Sequence, residues 1–140
     1  MRNMLTKIAA ILAFIIGGMA VVAGVQVLLG NDPGYYVIDW VPVYNYTAGI
    51  LTAVVTATLI WRKSRLAWFA AIATLSLHTL VMLLLLTVHR DVVAVDSIRA
   101  MTIRMLAWAI IMGLMYAQLR KDRASQRLTD EPHHLAAIRR

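Results

Sequence analysis

Arg104 is the residue whose position raises the clearest chemical question in this sequence. It lies more than one turn inside the fourth apolar segment if the helix of that segment starts near Ile98. A guanidinium at that depth must snorkel to the interface, pair with an acceptor or face a polar cavity. Trp108 follows Arg104 by four residues, so its ring is placed to stack on the guanidinium. Structural pairing or snorkelling is the interpretation we favour, and a site for an anion or a lipid headgroup is the alternative.

Four polar residues at similar depth are candidate partners for Arg104. They are Asp39, Asn45 and Tyr46 at the start of the second segment and Asp96 near the start of the fourth. Tyrosine and tryptophan are crowded around the first three of these residues. Such aromatic groups are enriched at lipid headgroups as anchors, which is the explanation we favour. The alternative is a shallow, aromatic-lined pocket.

His78 lies in the middle of the third segment and His89 at its end. His89 follows His78 by eleven residues, which correspond to about 16 Å along a helix, so the two imidazoles cannot hold one metal ion together. We expect His78 to be a buried hydrogen-bonding group, with Thr52 or Thr56 as its partner. A role in proton relay is the alternative.

The residues that are missing exclude several kinds of chemistry. The chain has no cysteine, which removes disulfides, thiolate metal sites and thiol exchange. The apolar segments also lack the acidic side chains that proton-coupled exporters use and the several histidines that b-type cytochromes need. We therefore expect no catalytic residue, no metal and no cofactor, and we predict that the chain is not an enzyme.

The elements that carry these residues are four apolar segments. They cover residues 8–30, 43–61, 66–88 and 98–119. Each is near the roughly 20 residues that a helix needs to cross about 30 Å of hydrocarbon. None has a polar stripe, and 61% of the chain is hydrophobic. The sequence predicts an all-α integral membrane four-helix bundle over residues 1–119, followed by a basic tail over residues 120–140. The tail should extend the fourth helix at first and stop at residues 129–132.

The basic residues indicate the orientation of this bundle. Of the 14 lysines and arginines, eleven flank the start of the first segment, the second connection or the end of the fourth segment. The positive-inside rule therefore places both termini in the cytoplasm. The net charge of +7 belongs to these flanks, where it anchors orientation and attracts acidic lipid, so we expect no binding to nucleic acid.

Small residues recur along the first three segments at helical spacing. The stripes are Ala10, Ala13, Gly17, Ala20 and Gly24 in the first segment, Gly49, Ala53 and Ala57 in the second, and Ala67, Ala71 and Thr74 in the third. Such residues let membrane helices approach closely. We expect the stripes to meet one another and close the bundle, and an interface with another subunit is the alternative.

Three local motifs carry a resemblance to a known type of protein. Residues 44–49 read Tyr-Asn-Tyr-Thr-Ala-Gly, Trp61 precedes a short basic turn, and Ala100 and Met101 come before Arg104 and Trp108. Over most of residues 43–116, the chain resembles small bacterial four-span inner-membrane proteins of the DoxX-like type. This resemblance implies a location in the bacterial inner membrane, and it supplies no activity and no catalytic residue.

The leading hypothesis from sequence is a non-enzymatic accessory or interaction subunit of the bacterial inner membrane. Its partners would be the lipid bilayer and either a larger membrane complex or further copies of itself. The alternative is a binding or transport module whose outward-facing pocket holds an anionic or lipid-like ligand. That pocket would be built around Arg104 with Asn45, Tyr46, Asp39 and Trp108.

Overall fold

Four long helices make up the fold. The computed structural model describes residues 3–138, with side chains as far as Gln126. The helices are α1 (Met4–Leu28), α2 (Val41–Trp61), α3 (Ala67–Thr87) and α4 (Val95–Ile138), and no strand occurs in residues 3–138. Each helix is long and apolar enough to cross a membrane. The predicted all-α fold with four candidate membrane spans is confirmed, and such a chain is a multi-pass membrane protein.

The helices begin and end at residues that differ from the predicted segments. Helix α2 starts at Val41, two residues early, because Pro42 is tolerated in the first turn, where its missing N–H has no helical acceptor. Helix α4 starts at Val95, and Asp96 in its first turn interacts favourably with the helix dipole. The predicted stop at residues 129–132 is wrong, since α4 continues to Ile138. Once a helix has formed, each added residue extends it at little cost.

The middle of α2 has a wider backbone geometry than the rest of the helix. Residues Leu51–Thr56 form a π-helix, in which each N–H bonds to the carbonyl five residues before it. Thr52 and Thr56, at 2% and 4% exposed, both lie inside the bundle. The widened segment thus turns two hydroxyl groups toward the interior.

The helices form a ring in which α1 packs against α2 and α4, and α3 packs against α4 and α2. The backbones of α1 and α2 touch at Gly17 and Gly49. A Cβ atom at Gly17 would lie 2.6 Å from the backbone nitrogen of Ala53, and one at Gly49 would lie 2.7 Å from that of Val21. Only glycine permits this approach.

The predicted small-residue stripes are used inside this ring. All five stripe residues of α1 are buried, and Gly17 meets Gly49 and Ala53 of the α2 stripe directly. On α3, Ala67 and Ala71 are buried in one apolar cluster with Ala10, Ala13 and Ala57 of the other two stripes. The hydroxyl of Thr74 lies 3.4 Å from that of Thr56. The expectation that the stripes meet one another is confirmed.

Two apolar clusters fill the interior at different heights. We call the end of the bundle with residues 62–66 the basic end, and the end with residues 29–40 and 88–94 the loop end. The larger cluster extends from the basic end to the middle and includes Ile60, Ile111 and Met115. The smaller cluster lies at the loop end and is formed by Ile38, Val41, Val81, Leu85 and Met101. The polar side chains of Asn45, His78 and Arg104 lie between the two clusters.

Candidate functional site

Four polar side chains from three helices form a layer between the apolar clusters. Tyr44 and Asn45 come from α2, His78 from α3 and Arg104 from α4, and we call these residues the polar layer. His78 lies nine residues before the end of α3, and Arg104 lies nine residues after the start of α4. At helical rise, each is therefore about 14 Å from the loop end of its own helix.

Arg104 is held by an amide. Its Nη1 donates a 2.6 Å hydrogen bond to Oδ1 of Asn45, and the arginine is only 9% exposed. Within residues 3–126, no carboxylate forms an ion pair with it. The guanidinium therefore lies in the interior of the bundle with one hydrogen bond to the neutral amide of Asn45.

Gly24 of α1 provides the space in which Asn45 sits. A Cβ atom at Gly24 would lie 3.2 Å from Cβ of Asn45 and 2.7 Å from the carbonyl oxygen of Pro42. Any larger residue would displace the start of α2. Helix α1 thus contributes no polar side chain to the layer but sets the position of the residue that holds Arg104.

Two phenol groups are also electrostatic neighbours of Arg104. Both Tyr44 and Tyr35 are close enough to interact with the guanidinium. Tyr35 belongs to the connection between α1 and α2, and Ile38 of the same connection is buried in the loop-end cluster. This connection therefore lies over the polar layer at the loop end.

His78 forms its hydrogen bond to a residue other than those expected. Its Nδ1 pairs with the hydroxyl of Tyr44, and the histidine is 3% exposed. The predicted pairing with Thr52 or Thr56 is wrong, because Thr56 meets Thr74 and Thr52 Oγ1 has no hydrogen-bond partner among residues 3–126. A tyrosine ring carries its hydroxyl across the gap between helices, whereas a threonine hydroxyl stays near its own backbone.

Trp108 contacts His78 rather than Arg104. The two ring centroids are 6.5 Å apart with an interplanar angle of 59°, and Trp108 is fully buried. The expected stacking on the guanidinium is not found. Helical side chains lean toward the N-terminus of their helix, so Arg104 extends toward the loop end and away from Trp108. The indole Nε1 of Trp108 is a buried donor with no acceptor in the described part of the chain.

Three of the predicted partners of Arg104 lie elsewhere. Asp39 is exposed, Tyr46 is 38% exposed, and Asp96 faces Arg99 at 3.4 Å on the surface of α4. The expected pairing of these residues with Arg104 is therefore wrong. Each step along a helix turns a side chain by about 100°, so Tyr46 points outward where Asn45 points inward.

Sequence reasoning missed the part that Tyr44 and Trp40 play. The rings of these residues meet edge to face at 6.2 Å, and the Trp40 ring also meets that of His89 at 5.9 Å. Nδ1 of His89 is buried and has no hydrogen-bond partner within residues 3–126. The signal for this contact was the dense aromatic sequence of residues 35–46, but the pattern did not reveal which rings face inward.

The chemistry of the layer suits an anion better than a metal ion. Within residues 3–126, no group of three or more His, Asp or Glu side chains is placed to hold a metal. The layer instead combines a buried guanidinium with hydroxyl, imidazole and amide groups, and the unpaired indole donor of Trp108 lies one turn away. Comparison with family models, with curated proteins and with solved structures finds no match to this chain.

Proposed function

We propose that the chain is a non-enzymatic, multi-pass protein of the bacterial inner membrane that binds an anionic or lipid-like ligand at Arg104. The observation that carries this proposal is a buried arginine whose hydrogen-bond partner is the neutral amide of Asn45, without a carboxylate partner in residues 3–126. A buried charge needs compensation, and an anion at the guanidinium supplies it. In this proposal both termini are cytoplasmic and Arg104 is reached from the opposite side.

Access to Arg104 would follow the loop end of the bundle. Ile38 and Met101 cover this end, at 8% and 3% exposed. A ligand entering from there has to displace part of the connection formed by residues 29–40. Gly30 and Gly34 have φ values of +88° and +81°, and they form the turns that bring this connection back to α2.

We place the accessory-subunit hypothesis second. Its support in the sequence is largely the absence of catalytic motifs, together with small-residue stripes for which an interface with another subunit is the alternative to closing the bundle. Those stripes pack against one another inside the bundle, which leaves less reason to assign them to a partner. The hypothesis predicts a heteromeric complex, which the experiment below would detect.

Native mass spectrometry after gentle extraction from a bacterial membrane tests both hypotheses. The comparison is between the wild-type protein, Arg104→Gln and the control Arg99→Gln, since Arg99 is an exposed arginine on the same helix. We expect a defined small-molecule adduct on the wild-type and Arg99→Gln proteins and its loss from Arg104→Gln, while circular dichroism shows the same helix content. An adduct that survives in Arg104→Gln would contradict the proposal, and a reproducible heteromeric mass would favour the accessory subunit.

A further inference from the structure

A groove lies between α1 and α2 on the surface of the bundle, away from the polar layer. It encloses about 400 Å³ and its lining is almost entirely apolar. Ala10 and Ala57 lie at its floor, at 2% and 6% exposed, while Phe14, Val54 and Trp61 form its rims, at 61%, 59% and 52% exposed. The alanines create the groove, because their short side chains leave a gap between the larger residues on either side.

The groove ends at a positively charged site. Nζ of Lys7 lies 5.6 Å from the ring centroid of Trp61, a residue of the groove lining, and Arg62 follows Trp61 directly. Both cations are exposed, and neither has an ion pair with a carboxylate within residues 3–126. Lys63 differs, since its ammonium group bonds to Asn3 and lies 3.5 Å from Asp122.

We infer that this groove binds an acidic phospholipid. One acyl chain lies along the apolar groove, and the phosphate and headgroup contact Lys7 and Arg62 at its basic end. The volume lies within the range of roughly 300–1,000 Å³ that is usual for small-molecule sites. An apolar trough with an unneutralised cation at its mouth complements a lipid that has a hydrocarbon chain and a net negative charge. A helix of a second protein would complement the trough without requiring the charges.

The neighbouring aromatic group strengthens this assignment. Trp61 has the amphipathic ring that is typical of headgroup depth, so the mouth of the groove lies where a lipid phosphate would be. The contact with the Trp61 ring holds the Lys7 ammonium at this mouth. The site lies toward the basic end and shares no residue with the polar layer. The inference that it binds lipid is therefore independent of the proposal that Arg104 binds a ligand.

Lipid retention measured on the full-length protein tests the inference. The protein is reconstituted in vesicles containing equal parts of phosphatidylglycerol and phosphatidylcholine, extracted, and analysed for bound lipid by native mass spectrometry. We expect the wild-type protein to retain phosphatidylglycerol in preference. Lys7→Gln should lower the ratio of retained acidic to neutral lipid about fivefold, the effect of one basic residue near an acidic membrane surface. The control Lys121→Gln removes the same charge at an exposed position away from the groove and should change the ratio less than Lys7→Gln does.

A second pair of variants tests the groove itself. Thr58→Leu places a larger side chain in the lining, while Thr102→Leu makes the same change at an exposed position of α4. We expect Thr58→Leu to lower the retention of acidic lipid and Thr102→Leu to leave it unchanged. Equal retention of both lipids by the wild-type protein would overturn the inference, as would equal effects within either pair. A dimeric mass that Thr58→Leu abolishes would also overturn it, because the occupant would then be a second copy of the chain.

Discussion

The guanidinium of Arg104 donates a 2.6 Å hydrogen bond to the side-chain oxygen of Asn45, a residue 59 positions earlier in the chain. These residues belong to α4 and α2, which face each other across the ring of helices, while α1 and α3 occupy the other two positions. The bond therefore crosses the interior instead of joining neighbouring helices. The charge of Arg104 lies inside the bundle, close to the hydrogen bond between Tyr44 and His78.

Replacement of Asn45 separates the structural part of this bond from its part in ligand binding. Asn45→Leu leaves the buried guanidinium without its acceptor, so we expect a loss of about 2 kcal/mol in the free energy of unfolding. Asn45→Asp supplies a carboxylate to Arg104, and it should preserve the fold and abolish the adduct. Unfolding titrations in detergent and native mass spectrometry measure these effects. Full ligand retention by Asn45→Asp would contradict binding of an anion at Arg104.

The contact between Tyr44 and His78 should be measurable by a double-mutant cycle. Tyr44→Phe removes the hydroxyl, and His78→Phe removes its partner while keeping an aromatic ring at the site. Side-chain hydrogen bonds between membrane helices contribute about 0.6 kcal/mol on average, so we expect a coupling energy of that order. Tyr44→Phe paired with substitutions of Thr56 should show no coupling. A coupling to Thr56 instead of His78 would mean that the hydrogen bond is assigned wrongly.

The close approach of α1 and α2 predicts opposite outcomes for two adjacent glycines. A Cβ at Gly17 would clash with the backbone of α2 at 2.6 Å, whereas one at Gly18 would have nothing within 4 Å. Gly17→Ala should destabilise the bundle by about 1–3 kcal/mol, because backbone cannot move aside as a flexible side chain can. Gly18→Ala should be neutral or stabilise by up to about 1 kcal/mol, since alanine favours the helix. Thermal unfolding of both variants checks the contrast, and similar melting temperatures would refute it.

Orientation in the membrane is open to a direct test because the chain has no cysteine. Asn31→Cys introduces a thiol in the connection between α1 and α2, and Ala124→Cys introduces one in the exposed part of α4. If both termini are cytoplasmic, a membrane-impermeant maleimide added to intact cells should label Asn31→Cys only. After the cells are permeabilised, both variants should react. Labelling of Ala124→Cys in intact cells would reverse the proposed orientation.

The sequence predicts those features of the fold that depend on one local property of a segment, such as its apolarity or the spacing of its small residues. Length and apolarity predicted the four spans, and the recurrence of small residues predicted the stripe that brings Gly17 onto Gly49. Both properties are local, so they can be read without knowledge of which helices become neighbours. Asn45 was also identified in advance as a candidate partner of Arg104, because both residues lie inside apolar segments at compatible depths.

Which side chains face the interior, and which of them pair, depends on how each helix is rotated about its own axis. Tyr46 and Asn45 are adjacent in sequence, but a turn of about 100° per residue puts one on the surface and the other inside. The π-helical segment Leu51–Thr56 has no recognised sequence signal in this chain, and it affects which faces Thr52 and Thr56 present. The choice of Tyr44 over a threonine as the partner of His78 follows from the reach of a side chain between two helices. Such relationships exist only after the helices have packed.

The polar layer between two apolar clusters also determines how far each helix can move along its own axis. A slide of one helical turn is about 5.4 Å. Such a slide of α4 would carry Arg104 away from Asn45 and place it beside the aliphatic side chains of either cluster, while Asn45 and His78 kept their positions on α2 and α3. Aliphatic contacts among α2, α3 and α4 discriminate less between vertical alignments, because neighbouring turns carry similar side chains. The polar layer has only one alignment in which its hydrogen bonds form. It therefore fixes the positions of α2, α3 and α4 relative to one another along the bundle axis when the helices assemble.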